Sequence, residues 1–430
     1  MTTEETIKTA KLFEMYVKRF WPIHRLFAKS KFSKRCKNCV SSEKMLPLNA
    51  DGLCEKCVQY KKVQADPNGA SPRNLGYHKQ PACDLSAVIL PGENRKIPQA
   101  GGLRYSEESL NLVPLQADPN KPYEKELNQI LKETQGQGKN QYDALVLYSG
   151  GKDSTYLIKR IQQDFPKLRL LAYTLDNGFM SPVALQNIQE LLPKLKVDHI
   201  FVKPHDGFHK KLFRYAITHL NSSGGYGTVD FSDGEFMLDT ARNIAAEKKI
   251  PLILCGYSKY QVQNGLQLNH YESPREKELS DRTETAGLKI KDIFQEESDL
   301  NLWWQASKHN PQDIARLFFP LYAWDLEENQ IKDKVKEWGL MNNKNHSPIV
   351  TNHQLVALLG VVDVHQLGYS SFEHEFCRMI REGKAKKSEW QPIFEFLEYT
   401  SRSGMFLKST ILQSLRWLDL TLDDVRIKFN

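Results

Sequence analysis

The sequence contains no run of about 18 or more apolar residues, the length a helix needs to cross a bilayer. Its longest candidate, LVALLGVVDV near Leu355, is too short. The opening stretch, MTTEETIKTAKLFEMYVKRFW, has acids where a secretory leader has a basic region, and no small-residue cleavage site follows. A cytoplasmic location and no membrane partner are therefore expected. Charge of neither sign dominates: 59 basic against 52 acidic residues leave +7 over 430 positions, which permits nucleic-acid binding without requiring it. Lys29, Lys31, Lys34, Arg35 and Lys37 are locally dense and read as a solvated basic face.

Cysteine is scarce and unevenly placed. Four of the seven form Cys36-x2-Cys39 and Cys54-x2-Cys57, whereas Cys83, Cys255 and Cys377 stand alone. In an intracellular chain, paired CxxC units read as a metal site rather than a disulfide scaffold. The 14 residues between the pairs suit four thiolates around one structural zinc, with an iron–sulfur cluster as the alternative. A saturated tetrathiolate has no open position, so its task would be to fold a small module.

Four regions are expected. Residues 1–60 hold an N-terminal helix and a zinc-ribbon-like module. Residues 61–122, rich in proline and in turn signals such as DPNG and LPGEN, form an irregular connection. Residues 123–345 alternate strand-like runs (YDALVLY, LRLLAYTLD, DHIFVKP, IPLILCG) with amphipathic helices, the pattern of a doubly wound parallel sheet. Residues 346–430 are helical. The polar stretch 257–300 reads as an irregular, substrate-facing insertion.

In such sheets ligands sit beyond the carboxyl ends of the strands, where YSGGKDS, LDNGF and LCGYSKY fall. Between a strand and a helix, Ser149, Gly150, Gly151, Lys152, Asp153, Ser154 and Thr155 combine close-approach glycines, hydroxyl donors, a cation and a helix N-terminus, the makings of an anion site. The spacing is neither Gly-x4-Gly-Lys-Ser/Thr nor Gly-x-Gly-x-x-Gly. A carboxylate such as Asp153 beside polyphosphate calls for a bridging Mg²⁺. Asp176, in an Asp-Asn-Gly cluster, is in good turn chemistry. Cys255 reads as a small buried apolar residue, or else as a thiolate nucleophile. His199, His205 and His209 lack metal-ligand spacing and read as surface or turn residues.

SGGKDS in this setting resembles the pyrophosphate loop of the ATP pyrophosphatases, the superfamily with the adenine nucleotide alpha hydrolase-like fold. Together with KRCKNCV…DGLCEKCVQY, LDNGFMSPVALQNIQELLPKLKVDHIF and IPLILCGYSKYQ, it is most similar to the N-acetyl sugar amidotransferases of bacterial surface-polysaccharide biosynthesis. The resemblance covers residues 36–60 and 140–265, is suggestive around FFPLYAWD and does not extend to 61–125. It implies adenylation of an amide oxygen by ATP with loss of pyrophosphate, catalysis by Lys152 and Asp153, a nucleotide contact at Asp176 unless that residue serves the turn alone, and a phosphate-side glycine at Gly256. It also implies a nucleotide-linked or free N-acetylated sugar as substrate, and ammonia that is free or delivered by a separate glutaminase. A tRNA-thiolase-like sulfur transferase, using the same first step, is the alternative. The chain departs from both groups at GGYGTVDFSDGEFMLDTARNIA, where a cysteine pair is replaced by Asp230, Ser232, Asp233 and Glu235. Asp230, Asp233 and Glu235 would then meet an amino or hydroxyl group of the substrate, or merely solvate a loop.

Overall fold

A computed structural model describes residues 3–65, 122–340 and 353–429. Its centre is a five-stranded, wholly parallel sheet built from β1 (Ala144–Leu147), β2 (Leu170–Leu175), β3 (Asp198–Val202), β4 (Leu252–Leu254) and β7 (Arg316–Phe318). The spatial order is β3-β2-β1-β4-β7. β1, β2 and β4 are buried along their whole length. Helices cover both faces of the sheet, so these strands read as continuous apolar runs rather than alternating ones. From β1 the chain winds outward through β2 and β3, then returns to add β4 on β1's other side. The order reverses between β1 and β4, so the crevice at their carboxyl ends is the switch point of the sheet.

The sequence expectation located four of the five strands; β7 lies in ARLFF, which is not among the strand-like runs. The stretch 257–300 is better organised than expected. It holds four short helices and a two-stranded hairpin, β5 (Glu284–Thr285) and β6 (Leu288–Lys289), with Ile290, Ile293 and Phe294 buried beneath it. Of the expected irregular connection, 61–65 end the helix Glu55–Ala65. Residues 66–121, with Cys83, lie outside the described residues.

LVALLGVVDV is a core helix, Val356–Gln366, apolar on every side and buried from Leu358 to Val364. It packs against the helices Lys387–Ser403 and Lys408–Trp417 and against a π-helical turn, Tyr226–Asp230. Close approach of that turn explains the paired glycines before it: Gly224 has φ +77, and a Cβ there would lie 2.6 Å from the Asp363 carboxylate. Gly225 N–H donates to that same carboxylate at 2.6 Å.

The cysteine module is joined to this C-terminal region. Arg35, 1% exposed, bridges Glu373 at 2.8 Å and Glu398 at 3.4 Å, and Ser42 N–H donates to Glu373 at 3.0 Å. Lys387 Nζ donates to the carbonyl of Lys37. The sequence ends expected as separate regions therefore pack as neighbours. No helix among the described residues is long and apolar enough to cross a membrane.

Candidate active site

β1 delivers the chain into the turn 149–151, and the helix Lys152–Asp164 starts directly after it. Gly150 has φ +71, and a Cβ added there would sit 2.7 Å from the Ala184 carbonyl and 2.8 Å from the Ile188 side chain. Only glycine fits that turn. Gly151 is the N-cap and offers no side chain to the first helical N–H groups, which stay available to an external anion. Ser149 and Ser154 brace the turn. Ser154 Oγ accepts from Ser149 N–H and donates to Gly151 O, each at 3.3 Å, and Gly151 N–H donates to Ser149 Oγ at 3.4 Å. Thr155 is fully buried and its N–H donates to Gly151 O at 3.1 Å. Gly256, just beyond β4, faces the same turn: a Cβ there would touch the backbone of Ser154 at 3.4 Å.

Lys152 Nζ lies 2.9 Å from Asp153 and 3.6 Å from Glu328. Burial works against its ammonium, but those two carboxylates hold its pKa above the ordinary lysine value. Glu328 arrives on the helix Glu328–Glu337, which lies along the helix Lys152–Asp164 with Trp338 stacked on Tyr156 at 5.4 Å. Asp176, at the carboxyl end of β2, donates its N–H to Val202 O and accepts from Gly178 N–H at 2.9 Å. It thus makes the turn bond expected of it while standing on the edge of the sheet that carries 149–155.

The departure region is helical. The π-helical turn Tyr226–Asp230 runs straight into the helix Phe231–Lys248, so Asp230, Asp233 and Glu235 do not sit on a loop. Two residues apart on a helix means about 200° of rotation, and Asp233 and Glu235 diverge accordingly. Glu235 turns away from the cleft: its carboxylate accepts from Ala286 N–H at 2.8 Å and Thr285 Oγ1 at 3.1 Å, and meets Arg282 at 3.4 Å. It anchors the β5–β6 hairpin rather than solvating a loop.

Asp233 instead accepts from Asn177 Nδ2 at 2.7 Å and faces His209 Nε2 at 3.3 Å and His353 Nε2 at 3.9 Å. Burial would raise its carboxyl, but His209, with help from His353 and Asn177, holds it below its ordinary value. His209 is 5% exposed, which corrects its reading as a surface or turn residue. The reason is periodicity: His209 lies on the buried face of the helix Phe208–Thr218, with Phe208, Leu212 and Phe213.

Asp230 is pushed up to about 7 by burial, reinforced by Asp233 and Glu375. Glu375 is likewise raised to about 7 by burial and Glu328, with Lys152 opposing. Both residues remain partly exposed although their surroundings are dense. The carboxylates thus run from Lys152 through Glu328, Glu375 and Asp230 to Asp233, with Tyr226 and Tyr257 alongside. Sequence reasoning missed Asn177, His209, Glu328, His353 and Glu375. Only Asn177 carried a local signal, lying beside Asp176; the others are brought together by tertiary packing.

Cys255 is 1% exposed, and burial raises its thiol to about 12, as its reading as a small buried residue expects. The quartet Cys36, Cys39, Cys54 and Cys57 is fully buried, with its sulfurs all within 4.8 Å of one another and Cys39 Sγ 3.8 Å from Cys54 Sγ. A single tetrahedral ion with metal–sulfur bonds of about 2.3 Å would space its sulfurs by about 3.8 Å, so the donors fit one ion. N–H groups of Asn38 and Cys54 point at Cys36 Sγ and that of Ser41 at Cys39 Sγ, at 3.3–3.5 Å.

No protein-family model and no curated protein matches the chain. Among solved structures, it is similar to the U34-tRNA thiolase NcsA of Methanococcus maripaludis, with its [4Fe-4S] cluster. That match has 13% identity over 69% of this chain and 79% of the other, with a TM-score of 0.32. It is also similar to the NMN synthetase of Francisella tularensis, at 12% identity over 70% of this chain and 97% of the other, with a TM-score of 0.34. Likenesses this distant assign neither family nor substrate. The fold and the site rest on the chain's own geometry.

Proposed function

We propose that this protein is an ATP-dependent amidotransferase that works by adenylation. The observation that supports it is the placement of residues 149–155: a glycine turn and an uncapped helix N-terminus at the switch point of a parallel sheet, with Lys152 and Asp153 at its mouth. In this reading the turn holds the departing pyrophosphate, Asp176 and Gly256 flank the nucleotide, and the α-phosphate faces the acidic cleft. The amide oxygen of an N-acetylated sugar attacks the α-phosphorus, the bond to pyrophosphate breaks, and an O-adenylyl imidate forms. Ammonia, free or supplied by a glutaminase partner, adds to the imidate carbon; AMP leaves and a proton is lost, giving the acetamidino sugar. Lys152 neutralises charge on the leaving group, and Asp230, raised to about 7, is suited to accept a proton from the incoming nitrogen. Asp153, a single carboxylate at the mouth of a polyphosphate site, suits Mg²⁺, which would offset the charge between them when bound. The cysteine quartet would hold a structural Zn²⁺.

Sulfur transfer by the same first step would need a thiolate in this cleft. Cys255 directly precedes Gly256, which faces the turn, and its thiol is held protonated by burial. The test is pyrophosphate release from ATP with Mg²⁺, ammonium and a panel of N-acetylated nucleotide sugars. Release should depend on one of these sugars, be unaffected by Cys255→Ala, and fall on the order of 100-fold in Lys152→Met. Dependence on a sulfur donor together with loss in Cys255→Ala would assign sulfur transfer instead.

A further inference from the structure

The first 37 residues carry ten basic and three acidic side chains, a surplus equal to the +7 of the whole chain; the rest of the sequence is neutral overall. The same segment concentrates exposed apolar side chains. Of the nine large hydrophobics exposed among the described residues, six lie between Leu12 and Phe27, and a seventh, Phe406, packs against Tyr16. The two helices here, Thr3–Arg19 and Trp21–Phe27, are fastened on one side by Phe13, Val17 and Trp21, which are buried around Phe396. The helix Thr3–Arg19 also meets the helix Pro182–Leu195, but the outer side of Trp21–Phe27 is exposed. Ile23 is 65% exposed, Leu26 58% and Phe27 84%, a cluster held out in water at helical spacing. Lys11, Lys18, Arg19, Lys29 and Lys31, on these helices and the turn that follows them, are also exposed.

We propose that this face docks on an anionic lipid surface, with Ile23, Leu26 and Phe27 entering the headgroup boundary and the lysines paired with lipid phosphates. An apolar cluster rimmed by lysine is how an interfacial helix binds, by buried apolar area plus attraction to anionic lipid. Other occupants fit less well. A second copy would bring two strongly basic patches together across a twofold axis. Nucleic acid would accept the lysines and could stack a base on Phe27, but it would leave the aliphatic Ile23 and Leu26 beside it in water. The surface escapes the sequence because Phe20 to Phe27 looks like core; only the packing shows which of its residues are left outside. The proposal concerns attachment to a membrane surface, not a span, and is independent of the reaction proposed above.

The test is co-sedimentation of the full-length protein with vesicles of phosphatidylcholine mixed with phosphatidylglycerol, against phosphatidylcholine alone. The mixed vesicles should bind it, and binding should weaken as salt is raised. Phe27→Glu should lower the partition coefficient by roughly tenfold or more, and the pair Lys29→Glu with Lys31→Glu by a similar factor. Thermal unfolding and pyrophosphate release should stay unchanged in each, since none of these side chains is buried. Absence of binding to mixed vesicles at low salt, or equal binding by the variants, overturns the proposal. So does a solution dimer, or an RNA complex, that Phe27→Glu disrupts.

Discussion

At Gly150 one atom decides whether the site can form. A Cβ there would meet Ala184 O and Ile188 in a turn that already demands positive φ. Gly150→Ala should cost about 1–3 kcal/mol of stability and abolish nucleotide binding, read by thermal unfolding with and without ATP. The divergence of Asp233 and Glu235 gives a paired prediction. Asp233→Asn should raise the KM for the acceptor, whereas Glu235→Gln should leave KM alone and lower the unfolding temperature through the β5–β6 hairpin. Asp230 supplies the pH dependence. Its folded pKa, about 7, lies above the value in the unfolded chain, so the folded form binds the extra proton. Its contribution is therefore most favourable below the unfolded pKa and is lost as pH rises through 7. Asp230→Asn should then stabilise the protein at pH 8, by about 1–2 kcal/mol once partial access of water is allowed for, with the gain vanishing near pH 4. Equal gains at both pH values would mean that the carboxylate is not strained by burial.

Among the elements, the strands with long apolar runs were legible because burial on both faces writes them as such. β7 was not, since Arg316–Phe318 is three residues inside a longer aromatic stretch that continues as the helix Pro320–Trp324. The phosphate turn was readable because its constraints are local: strand, glycine pair, helix. The cleft floor was not, because Glu328, His353 and Glu375 lie on elements far along the chain that reach the turn only after the C-terminal helices pack. The cysteine module was legible in its spacing but not in its docking, which depends on Arg35. Removing one partner of a buried ion pair strands the others, so Arg35→Ala should cost about 3–5 kcal/mol. That loss should appear as early unfolding of the C-terminal helices in hydrogen exchange. Stripping the metal with a chelator should loosen the same helices, and metal analysis of the untreated protein should find one zinc per chain. If several irons are found instead, the single-ion geometry is refuted.

The whole molecule is a parallel sheet whose switch point is walled by its own C-terminal part. That part brings Glu328 and Glu375 towards Lys152 and clasps the cysteine module from outside. The bridge between Met180 and His353 ties the turn after β2 to the start of the C-terminal helices, so the nucleotide side and the acidic side of the cleft are held by one packing arrangement. In the proposed reaction this lets an anion-binding turn and a row of carboxylates coexist, the turn holding phosphate and the row meeting whatever attacks it. The central claim is that ATP is cleaved at its α-phosphate in the turn 149–155. Phosphorus NMR of ATP turnover with Mg²⁺, ammonium and the accepted N-acetylated sugar tests it most directly, comparing the unaltered protein with Asp153→Ala. The account predicts AMP and pyrophosphate in equal amounts, lost in Asp153→Ala; ADP and phosphate as products, or pyrophosphate release that survives the substitution, would contradict it.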